Sequence, residues 1–365
     1  MNHKVFILGA GAVARGSAAL LEDRGHKTII WSPSGASAND LGEGLSAKGA
    51  LEIRCSTAIS KDPADIATCD AVLVALPGYA HKEIFDEIAA FLPDGLPIIV
   101  SSHVSFGALY LKQILAERGV TCPIICWGTT VVTGRRVPGG VTINTIRSKV
   151  DLCTVPEISS SHGLALCQEL FGDVFVPRAG LMAITLSNLN PQNHLGIAMG
   201  NMTRMERGEI WSQGQNITPN VGRLMEKLDA ERLAIAETLG LRVRTIFEHF
   251  HYSFQVPITN ISQMNQMMHA KGSGGHGPDT PESRYVTEDV PYGLVPIALL
   301  GRLTGRPAVL HQAGIDILSA MYERDFTAEN ALLPALGIET MSLDNLCSLA
   351  QDGVHTAKIH PNYQR

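Results

Sequence analysis

Short apolar runs alternate with helical stretches over the first hundred residues. The runs are rich in β-branched side chains and predict buried strands at residues 4–8, 27–31, 70–76 and 97–101. Helical stretches are predicted between them, at residues 12–23 and 82–92. Because parallel strands need crossover connections, this alternation predicts a parallel sheet with helices on both faces.

The pattern changes between residues 126 and 155. Three β-branched segments, at residues 129–133, 141–145 and 150–155, are separated by turn formers that include Pro138-Gly139-Gly140. Such spacing is typical of antiparallel strands. We therefore expect an antiparallel meander that extends the parallel sheet.

Helical periodicity replaces the strand pattern after about residue 183. It dominates residues 223–239 and returns at residues 312–322 and 344–350. We therefore predict two domains. Residues 1–182 form an α/β domain built on a doubly wound sheet with an antiparallel extension, and residues 183–365 form an all-helical domain.

A segment rich in glycine and other turn formers, residues 268–281, interrupts the helical domain. We interpret it as a mobile loop that covers a substrate. A plain surface connection is the alternative, and composition alone does not separate the two.

Composition and charge narrow the classes of function. The 365 residues are 45% hydrophobic and 18% charged, a balance typical of a compact globular enzyme. The net charge of −6 argues against nucleic acid or an anionic membrane as a partner, because both need clustered Lys and Arg. The sequence also lacks an uninterrupted apolar run of about 18 residues, which a membrane span requires. The expected partners are small-molecule substrates.

The seven cysteines are scattered along the chain and form no CxxC pair. A disulfide framework or a metal site would need denser, patterned spacing. We therefore expect reduced thiols, no metal site and a cytoplasmic location. The sequence leaves the oligomeric state open, a homodimer included.

A glycine-rich turn follows the first predicted strand directly and opens the first predicted helix. Its sequence, residues 9–14, is Gly-Ala-Gly-Ala-Val-Ala and fits the dinucleotide fingerprint. In that motif Gly9 allows the tight turn, Gly11 lets the backbone approach a pyrophosphate, and Ala14 allows the helix to pack on the strand. The helix N-terminus attracts the phosphate charge. The pattern predicts a Rossmann-type domain whose cofactor contacts are Gly9, Gly11, Ala12, Val13, Ala14, Trp31, Ser32, Ser34, Leu76 and Pro77.

The end of the second predicted strand indicates which dinucleotide binds. In NAD enzymes a carboxylate about 20 residues after the first glycine binds the ribose 2′-hydroxyl. Residues 29–34 contain no carboxylate. Ser32 and Ser34 are small donors that would tolerate a 2′-phosphate, and Arg15 would help to neutralise it. These features favour NADP, and NAD stays the alternative because no arginine directly follows the strand.

A polar segment, residues 187–196, stands where the two predicted domains meet. It runs into an apolar helix and contains Asn188, Asn190, Gln192, Asn193 and His194. Capping of that helix by Asn190 ahead of Pro191 explains part of this composition. The other amides and the histidine are typical of a segment that faces a ligand.

A second polar cluster, residues 284–296, follows the glycine-rich segment and contains Arg284 and Asp289. Histidine donates and accepts protons near neutral pH, and a carboxylate on its other ring nitrogen fixes its tautomer and orientation. We therefore hypothesise that His194 pairs with Asp289 and supplies the proton chemistry.

Three segments together resemble the octopine/nopaline (opine) dehydrogenase family over nearly the whole chain. They are Gly-Ala-Gly-Ala at residues 9–12, Asn-Pro-Gln-Asn-His at 190–194 and Arg-Tyr-x-x-Glu-Asp-Val-Pro-Tyr-Gly at 284–293, the most specific of the three. The resemblance implies a Rossmann domain followed by a helical domain. It also implies an NAD(P)H-dependent reductive condensation of an α-keto acid with the amino group of an amino acid, which gives an N-(1-carboxyalkyl) amino acid.

The same resemblance implies residue roles. His194 would be the catalytic acid/base, Asp289 its partner and Arg284 a ligand of a substrate carboxylate, with a surface salt bridge as the alternative for Arg284. A product with two carboxylates needs further donors. The candidates for this role are Asn188, Asn190 and Asn193.

Two other functions stay open. An enzyme similar to ketopantoate reductase or glycerol-3-phosphate dehydrogenase would share the two-domain plan and reduce a simple ketone. That resemblance leads us to expect a catalytic lysine, and none lies between Lys149 and Lys227. A non-catalytic nucleotide-sensing protein would leave the presence of both His194 and Asp289 unexplained. Oxidation of NADPH that requires both a keto acid and an amine separates the three.

Overall fold

The computed structural model describes residues 2–42 and 44–353. These residues form twelve strands: β1 (Lys4–Leu8), β2 (Lys27–Trp31), β3 (Leu45–Gly49), β4 (Ile53–Cys55), β5 (Ala58–Ile59), β6 (Ala71–Val74), β7 (Ile98–Val100), β8 (Ile124–Trp127), β9 (Val132–Val137), β10 (Gly140–Ile146), β11 (Val150–Val155) and β12 (Phe175–Pro177).

The same residues form fourteen α-helices: α1 (Ala12–Asp23), α2 (Gly78–Ile88), α3 (Gly107–Glu117), α4 (Ser160–Phe171), α5 (Gly180–Ser187), α6 (Asn190–Glu206), α7 (Pro219–Thr238), α8 (Ile246–Phe254), α9 (Ile261–Ala270), α10 (Arg284–Thr287), α11 (Val295–Leu303), α12 (Val309–Tyr322), α13 (Leu332–Leu336) and α14 (Leu343–Asp352). None of the described helices is long and apolar enough to cross a membrane.

The main sheet has eight strands in the order β12-β11-β8-β7-β6-β1-β2-β5. Strands β8, β7, β6, β1, β2 and β5 run parallel to one another. Their central members are fully buried because helices cover both faces. Strand β11 runs antiparallel to β8, with Cys153 opposite Cys126. The predicted doubly wound sheet with an antiparallel extension is therefore confirmed.

The hairpin of β9 and β10 does not belong to the main sheet, so the predicted continuous meander is wrong at this point. These strands form a second, four-stranded sheet in the order β4-β3-β10-β9. Its apolar face packs on α1, where a Cβ on Gly16 would lie 2.9 Å from a methyl group of Val132. The alternating pattern reports that one face of a hairpin is buried, and it does not report which element covers that face.

The predicted helical domain is confirmed, and a buried ion pair lies within it. Arg232, which interrupts the apolar face of α7, is fully buried and lies 2.7 Å from the carboxylate of Asp229. That carboxylate also accepts hydrogen bonds from the side chain of Gln192 on α6 (2.8 Å) and from the backbone N–H of Ile246 (2.9 Å). Because the two charges are paired with each other, this polar network joins α6, α7 and the start of α8 without an unpaired buried charge.

By packing, the described residues divide into two compact units. One unit runs up to Thr185 and includes the residues from Thr340 onward, and the other is Leu186–Glu339. The boundary predicted from the sequence, between residues 182 and 183, stays a prediction. It separates a dinucleotide-binding domain from a helical substrate domain. Within the first unit α14 packs on β11, a placement for which the sequence gives no signal.

Two buried histidines lie near the carboxyl ends of β6 and β7. The Nε2–H of His81 donates to the carbonyl of Leu76 (3.2 Å), and Nε2 of His103 accepts from the backbone N–H of Ala108 (3.4 Å). Burial lowers the pKa of His81 to about 4. Burial, with a smaller contribution from His81, lowers the pKa of His103 to about 3. Both rings are therefore neutral in the folded protein at pH 7.

These two histidines should make the first unit sensitive to acid. Each pKa is lower in the folded state than in the unfolded chain, so unfolding takes up protons below about pH 6.5 and stability falls as the pH falls. Between about pH 7.5 and about pH 5.5 each histidine should cost about 1.4 kcal/mol of unfolding free energy. Denaturant unfolding at both pH values measures this loss in the wild type and in His103→Gln, where it should be smaller by the contribution of one histidine. An equal loss in the two proteins would exclude His103 as a source of the acid sensitivity.

Candidate functional site

The helical unit brings together the two residues predicted to pair. Nδ1 of His194, on α6, lies 2.6 Å from the carboxylate of Asp289, which comes from a position 95 residues later in the chain. Their side chains are only 14% and 8% exposed, so water competes little for this hydrogen bond. The bond holds the proton on Nδ1 and leaves Nε2 as the nitrogen available for proton transfer. The catalytic role of the pair stays a prediction.

A π-helical turn, Val290–Leu294, follows Asp289 directly and fixes its place. This turn packs closely on the start of α6, where a Cβ on Gly293 would lie 2.2 Å from the ring of Pro191. Only glycine allows that approach. The buried amide of Asn330 donates to the carbonyl of Pro291 (2.7 Å) and holds the turn from its other side.

Tyr285 is a third member of the site, and the sequence analysis missed it. Its ring stacks on His194 with centroids 3.5 Å apart and planes 8° from parallel. Its hydroxyl donates to the side-chain oxygen of Gln213 (2.7 Å). Burial, and then the charge of Asp289, raise the pKa of Tyr285 to about 12, so the phenol stays a neutral donor. The four-residue spacing to Asp289 in the most specific motif was the available signal.

The four candidate substrate ligands are placed differently. The side-chain oxygen of Asn188 accepts a hydrogen bond from the backbone N–H of Asn190 (3.1 Å). Asn190 is the first residue of α6, and the N-cap is Leu189 without a side-chain capping bond, so the capping alternative for Asn190 is wrong. Asn193 is 6% exposed, and its side-chain oxygen has no partner among the described residues. The side chain of Arg284 is 61% exposed and lies 3.6 Å from Glu288, as in the surface salt bridge that was its alternative. Their roles toward a substrate stay predictions.

The glycine-rich turn lies in the first unit, between β1 and α1. Gly9 has φ +113°, and a Cβ there would lie 2.6 Å from the carbonyl oxygen of Ala75. The protein itself therefore requires glycine at this position. At Gly11, which is exposed and precedes the first helical residue, a Cβ would meet no atom of residues 2–42 or 44–353 within 4 Å. This open approach to the N-terminus of α1, which includes Ala12, Val13 and Ala14, fits a pyrophosphate.

The remaining predicted cofactor residues lie at the ends of β2 and β6, in the first unit. Trp31 and Ser32 are buried and Ser34 is exposed. Leu76 and Pro77 are partly buried after β6. Parallel strands β1, β2 and β6 end at the same edge of the sheet, so these residues and the glycine-rich turn share the edge where open α/β sheets bind ligands.

Arg15 does not have the predicted phosphate role. Its side chain is fully buried and forms an ion pair with Asp40 (2.6 Å). Its other N–H groups donate to backbone carbonyls of four residues: Ala10, Ser37, Val137 and Gly140. No N–H group is left for a phosphate. Its hydrogen bond also holds the pKa of the Asp40 carboxyl well below the usual range.

Comparisons with known proteins agree with this geometry. Residues 177–322 match the family model described as the α-helical domain of NAD/NADP octopine/nopaline dehydrogenase. Residues 5–103 match the model of ketopantoate reductase PanE/ApbA. An opine dehydrogenase of Arthrobacter sp. (strain 1C) is 32% identical over 291 residues, which cover 77% of this chain and 79% of that protein.

Solved structures share the fold at lower identity. An octopine dehydrogenase in complex with NADH and agmatine has a TM-score of 0.80 at 15% identity and covers 98% of this chain and 100% of its own. A yersinopine dehydrogenase with NADP⁺ bound has a TM-score of 0.69 at 13% identity, covering 96% and 98%. A ketopantoate reductase from Ralstonia eutropha JMP134 has a TM-score of 0.60 at 16% identity, covering 88% and 98%.

The family assignment rests on the Arthrobacter relative, because its identity extends over more than two thirds of both chains. The helical-domain match covers the segment that carries His194 and Asp289. The chain therefore belongs to the octopine/nopaline (opine) dehydrogenase family of NAD(P)-dependent oxidoreductases.

Proposed function

We propose that this protein condenses an α-keto acid reductively with the amino group of an amino acid to give an N-(1-carboxyalkyl) amino acid. The balanced reaction consumes the keto acid, the amine, NAD(P)H and one proton, and it releases NAD(P)⁺ and water. The observation that carries the proposal is the 2.6 Å hydrogen bond between His194 and Asp289, within a helical unit that matches the octopine/nopaline dehydrogenase model.

His194 and Asp289 handle the protons of this reaction. Nε2 of His194 donates a proton to the carbonyl oxygen, which then leaves as water. The same nitrogen accepts and returns the proton of the reacting amine. Asp289 keeps the ring in the required tautomer and stabilises the imidazolium that forms in the reverse step. The dinucleotide, when bound, supplies the hydride.

The two carboxylates of the product need donors, and Arg284 is the cationic candidate. Its contact with Glu288 is long (3.6 Å) and its own side chain is 61% exposed, so the guanidinium can also reach a substrate carboxylate. Asn188, Asn190 and Asn193 stand on the same segment as His194 and are the amide candidates.

We place NADP ahead of NAD as the cofactor. Residues 29–34 at the end of β2 carry no carboxylate to bind a free 2′-hydroxyl. The next carboxylate along the chain, Asp40, is paired with Arg15 and lies 3.3 Å from Arg136. Its charge is therefore neutralised within the protein, which lowers the repulsion that a 2′-phosphate would meet.

The cellular setting is also part of this proposal. All seven cysteines are free and six are buried, as expected in the reducing cytoplasm, where we place the enzyme. A homodimer stays a prediction.

A simple-ketone reductase is the second candidate, because residues 5–103 match ketopantoate reductase. A matrix of α-keto acids against amino acids, followed by loss of NADPH absorbance, tests both. Oxidation that requires a keto acid and an amine together supports the condensation. Oxidation by a keto acid alone, at a rate that amines do not change, would assign the second function.

Gly11→Val should abolish dinucleotide binding while the protein stays folded. The valine side chain has room within the protein, and it would stand where the phosphates approach the backbone amides. Gly9→Val is the matched control, since it should disturb the fold itself. Calorimetric titration with NADPH and thermal unfolding measure the two effects. Unchanged NADPH affinity in folded Gly11→Val would remove the nucleotide site from this turn.

Ser32→Asp should move the coenzyme preference toward NADH by at least about tenfold in kcat/KM, or about 1.4 kcal/mol. The new carboxylate would repel the 2′-phosphate and accept a hydrogen bond from a free 2′-hydroxyl. Steady-state kinetics with both coenzymes measure the ratio, and Ser32→Asn, which adds similar volume without charge, is the control. A wild-type preference for NADH would contradict the proposal for NADP.

His194→Ala should lower kcat by about 10²–10⁴-fold while NADPH still binds. Asp289→Asn keeps the volume and removes the charge that fixes the tautomer, so it should also be slow. Because the two residues act as one unit, the double variant should be scarcely slower than His194→Ala. Rate losses that multiply, or a His194→Ala enzyme with most of its turnover, would place the proton chemistry elsewhere.

A further inference from the structure

The hydrogen bond to Asp289 alone does not fix the direction of the His194 ring. It fixes one distance at one ring nitrogen, and coupled rotations about the two side-chain torsions, χ1 and χ2, can still swing the ring plane while Nδ1 keeps its partner. Such a tilt would move Nε2 off the line of proton transfer, where small misplacements cost large factors in rate. A contact with the flat face of the ring removes this freedom.

Tyr285 supplies that contact. Its ring lies parallel to the imidazole within 8°, at a centroid distance of 3.5 Å, so a tilt of His194 would drive one ring edge into the tyrosine. Tyr285 and Asp289 are four residues apart across α10 and the turn that follows, so one turn of chain reaches the face and the edge of the same imidazole. Ser283 caps α10 by accepting the backbone N–H of Tyr285 (3.3 Å).

The tyrosine is held in turn by Gln213. The Tyr285 hydroxyl donates to the Gln213 side chain (2.7 Å), and the backbone N–H of Gln213 donates to the carbonyl of Gly275 (3.2 Å) in the glycine-rich segment. These two segments meet at an isolated β-bridge between Ser212 and His276, and they are fixed by Trp211. A Cβ on Gly277 would lie 2.1 Å from its ring, and its indole N–H donates to the carbonyl of Pro278 (3.0 Å). The predicted loop is therefore anchored at this point.

We propose that Tyr285 is a positioning residue that sets the plane of the His194 ring, and that Gln213 holds Tyr285 in register through its hydroxyl. The proposal rests on the proposed function, since it assigns His194 the proton transfer. Tyr285 acts through His194 and exchanges no proton itself. A neutral phenol, with its pKa raised by burial, suits this purpose because it remains a donor to Gln213.

Three variants separate the stack from the tether. Tyr285→Leu removes the aromatic face, and kcat should fall by about 10-fold to 100-fold with the dissociation constant of NADPH unchanged. Tyr285→Phe keeps the face and should restore kcat to within about threefold of the wild type. Gln213→Leu removes the same hydrogen bond as Tyr285→Phe, so the double variant should be no slower than either single one.

The His194→Ala background tests whether Tyr285 acts through the histidine. There Tyr285→Leu should cost less than about twofold in the residual rate. If it costs as much as in the wild type, the proposal is overturned. A raised KM for either substrate with kcat unchanged would make Tyr285 a substrate ligand and would also overturn it.

The resonance of the His194 ring gives a readout that needs no turnover. In protein labelled at histidine, the ring protons of His194, identified by their loss in His194→Gln, should be shifted upfield by the stacked tyrosine. The shift should persist in Tyr285→Phe and vanish in Tyr285→Leu. An unchanged resonance in Tyr285→Leu overturns the stack. If no pair of substrates supports NADPH oxidation while the shift behaves as expected, the proposed function fails and the stack stands.

Discussion

The hydrogen bond from His194 to Asp289 makes one ring nitrogen of the histidine face a carboxylate and leaves the other defined, as the proposed proton transfer requires. It joins two side chains 95 residues apart in the chain, with 2.6 Å between donor and acceptor, and a small shift of either backbone segment would break it. Much of the helical unit serves to keep it. Gln192, two residues before His194, is bonded to the buried carboxylate of Asp229, and Gly293 lets the π-helical turn lie against Pro191.

In the first unit, one buried arginine holds several loops together. Arg15 stands in the first turn of α1 and holds the glycine-rich turn, the segment after β2 and the hairpin of the second sheet by their carbonyls and by Asp40. A buried guanidinium can do this because its donors point in fixed, coplanar directions. Through Arg15 the second sheet thus helps to fix the shape of the glycine-rich turn.

Much of the fold follows from the sequence, and the exceptions have physical reasons. Runs such as residues 71–76 are apolar throughout because parallel strands are covered on both faces, so the sheet was predictable. The β9–β10 hairpin has one buried face, and alternation cannot tell a helix from a sheet as its cover. Arg15 looked like a phosphate ligand because it adjoins the fingerprint. Its acceptors lie as far away as Gly140, 125 residues along the chain, and only tertiary structure reveals them.

The site was predictable to the same depth. A histidine and a carboxylate in two unusual polar segments suggested a pair, and the structure joins them. Tyr285 was missed because tyrosines in helices are usually core residues, and the stack becomes visible only when α10 is placed beside α6. The sequence shows the charge of Arg284, but it also shows Glu288 four residues later, where the two side chains pair on one helix face. The sequence alone therefore does not decide between a substrate ligand and a salt bridge.

Glycine is needed for different reasons at the two positions of the fingerprint. Gly9 is required by its own backbone and by Ala75, so every descendant that keeps the fold must keep it, whether or not it binds a nucleotide. No described residue approaches Gly11 closely enough to require glycine there, and a bound ligand is the constraint that we propose for it. In a lineage that abandons the cofactor, Gly11 is therefore free to drift while Gly9 persists. The residue at position 11 thus distinguishes a homologue that binds the cofactor from one that keeps only the fold.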